Sequence, residues 1–206
     1  MRVSFFLLVS LFLTSCTVSA QKQVTAQTKT ETKLPYYQIP DYPEKMTGGA
    51  AIGRVIDGLG YRYYWATEDL RAKDLAYEPG NGGQSAESVL RHLHGLSLMI
   101  MQSAKKEPNV RPLPENTMTW EEQRAATLQN FKIASDIFKA ATDEEMATFD
   151  IIFQRGEQQN KVPVWHLFNG PLDDAIYHVG QIVSFRRSSG NPMNPFVNVF
   201  MGKTKE

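Results

Sequence analysis

The sequence predicts an all-α protein, an antiparallel four-helix bundle with a small hairpin before the last helix. Apolar residues recur at intervals of three and four positions in four segments, which is the spacing of amphipathic helices. Capping residues, prolines and glycines flank these segments where helices usually begin and end. The links between the segments are short to medium in length, which favours helices packed side by side.

The first two helices are defined by apolar spacing and by the residues around them. The first is expected from the Gly48-Gly49 pair to about Lys73. The second begins after Ser85, a favoured N-cap residue, and ends before Pro108. The first helix also contains an aromatic group that is more typical of a packed core than of a ligand cage, formed by Tyr61, Tyr63, Tyr64 and Trp65.

The third helix and the hairpin follow a Pro-rich connection. Thr119 begins a capping box, so a helix is expected from there to about Ala141. A second capping box at residues 142–145 predicts a short helical turn. Residues 148–153 are typical of a strand, and a small hairpin returning to Trp165 accommodates both patterns.

Residues 1–20 have the layout of an export signal. Arg2 precedes an apolar run, Val3–Leu13, that is too short to span a bilayer. The signal could be cleaved at either of two positions. Cys16 is the last residue of a sequence that resembles a bacterial lipobox, whereas Ala20 is the last residue of an ordinary cleavage site. The protein is therefore expected in the bacterial periplasm or as a membrane-anchored lipoprotein, in contact with the membrane only through a lipid on Cys16.

The mature chain is expected to consist of a flexible tether, residues 21–45, and one helical domain, residues 46–206. Cys16 is the only cysteine, so the domain has neither a disulfide nor a thiol nucleophile. The 22 basic and 22 acidic residues balance, so the composition does not indicate a basic surface for nucleic acid, and no nucleic-acid partner is expected. Bundles of this size often dimerise without a sequence signature, so a homodimer remains open.

Two histidines of the second helix are predicted to lie on opposite sides of it. His92 lies within about 60° of the centre of the apolar stripe, and His94 lies nearly opposite. His92 should therefore face the bundle and His94 the solvent. The last helix, from Pro171 to about Gly190, contains Asp174 and His178, which are four residues apart.

One carboxylate and two imidazoles could form a metal site that leaves positions open for water or substrate. The competing interpretation is a core histidine beside a local salt bridge. Three further residues have weaker functional interpretations. Gln181 could orient a metal-bound water or a ligand, or only make a supporting hydrogen bond. His166 could bind metal or simply pack at the bundle mouth, and Arg186 could hold an anionic substrate or complement the helix dipole.

Several motifs resemble the DinB-like (YfiT-type) four-helix-bundle family over roughly residues 46 to 200. They are Tyr61-Arg-Tyr-Tyr-Trp-Ala66, Leu90-Arg-His92-Leu93, Trp165-His-Leu-Phe-Asn-Gly-Pro171 and His178-Val-Gly-Gln181. The resemblance implies a divalent metal held by a histidine of the second helix and a His-x-x-x-His pair of the last. By position these ligands fall on His92, Asp174 and His178, so aspartate replaces the first histidine of the pair.

The resemblance implies a metal-dependent hydrolase or transferase with a small-molecule substrate. Aspartate is a competent ligand for zinc, nickel, manganese or iron(II), so its presence could retune the site. Export favours hydrolysis over transfer to a cytosolic thiol, since an exported protein would rarely meet such thiols. The alternative is a non-catalytic envelope binding or interaction bundle whose metal site has been lost or retuned, and Asp174 favours it.

Overall fold

The computed structural model describes residue 1 and residues 33–205. The predicted export signal after Met1, the lipidation site Cys16 and the tether up to residue 32 lie outside the described residues. The described elements, in chain order, are α1 Gly48–Thr67, α2 Ala72–Leu75, α3 Ala86–Lys105, β1 Pro108–Val110, α4 Trp120–Ala140, α5 Asp143–Met146, β2 Asp150–Arg155, β3 Gln158–Pro163, α6 Trp165–Leu167, a π-helical turn Phe168–Leu172, α7 Asp173–Ser188, β4 Val197–Asn198 and β5 Lys203–Thr204.

The predicted helix starts are confirmed by their caps. The Ser85 side chain accepts a hydrogen bond from the backbone N–H of Ser88, and Thr119 and Thr142 each form a capping box. The end of α1 differs from the prediction, because the helix stops at Thr67 instead of Lys73. Asp69 adopts a left-handed backbone with φ of 56°, and the chain then begins the separate helix α2.

The four long helices pack around one core, but they do not all alternate in direction. Two hydrogen bonds join α3 to α4, His94–Thr127 and Ser97–Asn130. Residue numbers increase along both helices from the first bond to the second, so α3 and α4 are parallel. The predicted antiparallel arrangement is therefore wrong for this pair. By contrast α1 and α4 are antiparallel, because Arg124 near the start of α4 donates to Thr67 at the end of α1.

The crossover, residues 106–119, makes the parallel arrangement of α3 and α4 possible. It starts at the end of α3 and returns along that helix, where Leu113 lies beside Gly95. Near its end Asn116 donates to the side chain of Gln123 in the first turn of α4. An extended chain advances about 3.3 Å per residue and a helix only about 1.5 Å, so a connection of this length can span a long helix.

A three-stranded sheet caps the end of the helical body where α4 ends. The predicted hairpin is confirmed: β2 and β3 are antiparallel, and Asp150 pairs with Pro163. An unpredicted third strand, β1, lies parallel to β2 and pairs Pro108 with Ile152. The structure is thus helical with a small sheet, and the all-α class is correct only for the main body. Phe149 fixes the sheet to α4 through its ring contact with Phe138, 5.0 Å between ring centres.

Part of the predicted tether belongs to the folded domain. Tyr36 and Ile39 are buried, and the Tyr36 hydroxyl donates to the Asp57 carboxylate of α1 over 3.0 Å. The Ile39 N–H donates to the carbonyl of Gly202, which joins this segment to the C-terminal β4–β5 pair. The expected boundary at residue 46 therefore lies too late in the chain, because burial of these side chains orders residues before it.

The core confirms the packing role of the aromatic group on α1. Tyr61 and Tyr63 are fully buried, and Trp65 donates its indole N–H to the carbonyl of Tyr37. Beneath them lies a buried polar cluster in which Asp57 accepts hydrogen bonds from Ser135 and Lys139 of α4. Within residues 33–205, no helix is both long and apolar enough to cross a bilayer.

Candidate metal centre

The predicted ligands come from two neighbouring helices, α3 and α7. Pro171 lies in the π-helical turn before α7, and Gly170 has a non-helical backbone with φ of −102° and ψ of −107°. This kink separates the register of α7 from that of α6. Asp174 consequently lies in the first turn of α7, with His178 one turn later on the same side, facing His92 of α3.

The structure brings His92, Asp174 and His178 together. His92 Nε2 lies 3.0 Å from Asp174 Oδ2, and His178 Nε2 lies 3.1 Å from Asp174 Oδ1. The two imidazole rings are nearly perpendicular, with centres 4.7 Å apart. One donor atom from each of the three residues lies within 4.8 Å of the other two, so all could contact a single ion.

Gln181 orients His178 from the side opposite the carboxylate. Its Oε1 lies 2.7 Å from His178 Nδ1, and its Nε2 donates to the Tyr177 hydroxyl over 3.3 Å. With the amide in this orientation, Oε1 accepts a hydrogen bond from Nδ1–H, and the unprotonated Nε2 faces Asp174. A hydrogen bond to the far ring nitrogen is the usual support of a metal-binding histidine.

The site is open to solvent on one side. The side chains of His92 and Asp174 are 47% and 42% exposed, whereas that of His178 is 18% exposed. An ion held here would therefore keep positions for water or a substrate. Tyr177 lies next to the site with its ring centre 5.3 Å from that of His178, and it is largely exposed. No sequence pattern had singled out Tyr177, since an exposed aromatic has no characteristic spacing.

His94 occupies a different environment from the predicted one. It is buried, with 7% of its surface exposed, and its Nδ1 lies 3.0 Å from Thr127 Oγ1 of α4. The expectation that His94 faces solvent is wrong, because α3 packs against α4 on one side and α7 on the other. Desolvation by burial lowers the pKa of His94 below its ordinary value.

Two other candidates lie outside the cluster. Arg186 is buried, and its guanidinium donates to the carbonyls of Trp65, Ala66 and Asn191. These carbonyls occupy the guanidinium, so the structure gives no support to the alternative in which Arg186 holds an anionic substrate. Burial lowers the pKa of Arg186. His166 is an exposed residue of α6 and is not a member of the cluster.

Comparison with known structures identifies the architecture. The structure is similar to the crystal structure of a DinB-like protein, YjoA, from Bacillus subtilis, with a TM-score of 0.52. The chain has a DinB-like fold. The two sequences are 16% identical, and the match covers 73% of this chain and 99% of the other. No family model and no curated protein matches the sequence. At this identity the DinB-like likeness establishes the fold, and function must be argued from the site.

Proposed function

We propose that this chain is an exported, DinB-like hydrolase that depends on a divalent metal and acts on a small molecule. The metal ligands are His92 Nε2, the Asp174 carboxylate and His178 Nε2. Two imidazoles and one carboxylate suit zinc, nickel, manganese or iron(II). Hydrolysis is favoured over thiol transfer because an exported protein would rarely meet a cytosolic thiol.

The arrangement of His178 between two oxygen acceptors is the observation that supports metal binding most strongly. Its Nδ1 faces Gln181 Oε1 and its Nε2 faces Asp174 Oδ1. A neutral imidazole has one N–H, so only one of these contacts can be an ordinary hydrogen bond. The other requires either a second proton on the ring or a cation between the nitrogen and the carboxylate. A divalent ion satisfies both His178 and His92 at once.

The residues of the cluster divide the chemical work. A bound divalent cation would supply Lewis acidity, polarising the bond under attack and promoting the ionisation of water. The Asp174 carboxylate supplies negative charge that balances the cation, and Gln181 holds the tautomer of His178 through Nδ1. The exposed Tyr177 ring lies where it can contact a substrate bound beside His178.

Metal analysis of purified protein tests this assignment. After reconstitution with zinc, nickel, manganese or iron(II), we expect about one equivalent of metal in the wild type and in His166→Ala, which removes an exposed histidine outside the cluster. His92→Ala, His178→Ala and Asp174→Asn should each lose it. A wild type that retains less than about 0.1 equivalent, or histidine variants that retain the metal, would contradict the proposal.

Activity is tested separately from metal binding. The reconstituted wild type should hydrolyse some members of a panel of small esters, amides and lactones, and chelation should remove this activity. The variant His178→Ala should be inactive, whereas His166→Ala should match the wild type. Metal binding without turnover of any substrate would exclude hydrolysis of the compounds tested and leave the site as a binding site.

A non-catalytic envelope protein is the second candidate, and one feature favours it. Asp174 already contacts both histidines, so with protonated rings the three side chains can satisfy one another without an ion. If the metal site has been lost, this alternative predicts that the wild type binds no metal and that Asp174→Asn changes only the local hydrogen bonds. The metal analysis above therefore detects a lost site, and the activity assay separates a hydrolase from a binding protein that retains metal.

Export and lipid attachment are further parts of the proposal. The support is the charged residue, apolar run and lipobox-like end of residues 1–16. Metabolic labelling with a radioactive fatty acid in a bacterial host should mark the wild type but not Cys16→Ala. Export without label would instead indicate cleavage after Ala20.

A further inference from the structure

A cleft lies on the opposite side of α3 from the candidate metal centre. It is formed between α3 and the crossover and has a volume of about 590 Å³. Apolar walls come from Leu98, Leu113 and Met118, and His94 is the buried polar residue of its lining. A volume of this size is within the range of small-molecule sites, which combine apolar walls with few polar groups.

The tautomer of His94 is determined by its neighbour in α4. The Thr127 hydroxyl donates to the carbonyl of Gln123 over 2.7 Å, so its oxygen is left as an acceptor. With the Thr127 proton directed at that carbonyl, His94 Nδ1, 3.0 Å from the Thr127 oxygen, is the protonated nitrogen. In the neutral ring Nε2 then has a lone pair and no proton.

His94 Nε2 faces the cleft rather than the core. It makes no hydrogen bond with the described residues. Among those residues the Tyr63 hydroxyl is the only fully buried side-chain polar atom without a partner, so His94 Nε2 is not fully buried. Nε2 is thus reached by solvent, and the cleft is the solvent-filled space that His94 lines. A ligand in the cleft meets an acceptor held in fixed orientation by Thr127.

We propose that this cleft binds a small neutral phenolic compound whose hydroxyl donates a hydrogen bond to His94 Nε2. The apolar walls fit an aromatic ring, and the acceptor selects a ligand with an O–H donor. The charged lining residues Arg91 and Glu115 have opposite signs and are exposed, which favours a neutral ligand over an anion or a cation. The proposal does not depend on the metal centre.

Phenol and anisole form the probe pair, because anisole keeps the ring and lacks the O–H. Calorimetric titration of the chelator-treated full domain should show that phenol binds at least about tenfold more tightly than anisole, the effect of roughly one hydrogen bond. In ¹⁵N-labelled protein, phenol should shift the Nε2 resonance of His94 but not the ring nitrogens of His166.

Variants place the binding in the cleft. Met118→Trp should fill the space and weaken phenol binding at least about tenfold, whereas Met201→Trp, an equally large change at an exposed methionine outside the cleft, should not. His94→Leu, if folded by circular dichroism, should remove the preference for phenol. His92→Ala should bind phenol like the wild type, so that failure here and failure of the metal site remain distinguishable.

Three results would overturn the assignment. The first is that no phenol binding is detected at concentrations up to about 10 mM, which would mean a dissociation constant higher than that of a weakly binding fragment. The second is equal affinity for phenol and anisole in the wild type. The third is phenol binding that survives Met118→Trp unchanged, which would place the ligand elsewhere.

Discussion

His92 and His94 are two residues apart on α3, about 200° around the helix, and their environments differ sharply. His92 is exposed and meets the carboxylate of Asp174 on α7. His94 is buried and meets the hydroxyl of Thr127 on α4. The difference shows that the neighbouring helix, more than the residue type, determines whether a histidine is available as a metal ligand or held as part of the core.

The first prediction separates the two histidines by stability. His94→Ala leaves a cavity in the α3–α4 interface and removes the hydrogen bond to Thr127 Oγ1, so the free energy of unfolding should fall by about 3 kcal/mol. His92→Ala removes an exposed side chain and should change it by less than about 0.5 kcal/mol. Urea denaturation of both variants, in chelator, provides the measurement. Equal losses would show that the two sides of α3 are not energetically distinct.

The second prediction concerns the candidate metal centre and the support that Gln181 gives to His178. Gln181→Ala removes the acceptor that orients His178, so the metal dissociation constant should rise about 10- to 100-fold. Competition with a chromophoric chelator measures this change. Ser184→Ala, an exposed position later on α7, should leave the affinity unchanged. If Gln181→Ala also leaves it unchanged, then the hydrogen bond to Nδ1 does not support a metal ligand.

The third prediction concerns the pH dependence of stability that results from the burial of His94. Burial lowers the pKa of His94 in the folded protein. Below the ordinary histidine pKa of about 6.5, His94 is therefore protonated in the unfolded chain more readily than in the folded one. Stability from this group is present above that pH and is lost as the pH falls toward the folded pKa. In chelator, the wild type should lose up to about 1.4 kcal/mol per pH unit more than His94→Gln. Parallel profiles of wild type and His94→Gln would contradict the assignment, and His166→Ala serves as the control.

Local sequence signals were sufficient for the helix starts, and together with the family resemblance they identified the members of the cluster. Ser85, Thr119 and Thr142 cap their helices as their side chains predict, because capping depends on residues within one turn. The approach of His92 to Asp174 and His178 followed from the spacing on α7 and from the resemblance to the DinB-like family. The kink at Gly170 precedes Asp174 and therefore leaves the spacing of Asp174 and His178 intact.

Non-local features could not be obtained in the same way. The apolar stripe of α3 assumes one buried face, but α3 is covered by both α4 and α7, so polar His94 and Ser97 are buried too. The parallel direction of α4 depends on the crossover, whose Pro-rich sequence gives no sign of which way it runs. Strand β1, three residues long, exists only because β2 lies beside it.

The smallest predicted effect concerns the contribution of Asp174, in the candidate metal centre, to the stability of the fold when no ion is bound. In chelator, Asp174→Asn removes a partly exposed charge from between two histidines, and the free energy of unfolding should change by less than about 1 kcal/mol. With metal at about 100 times its dissociation constant, the wild type alone should gain about 2.7 kcal/mol, since binding stabilises only the folded state. Urea denaturation with and without metal measures both quantities. A large loss in chelator would instead assign Asp174 a structural role comparable to that of Thr127 on the other side of α3.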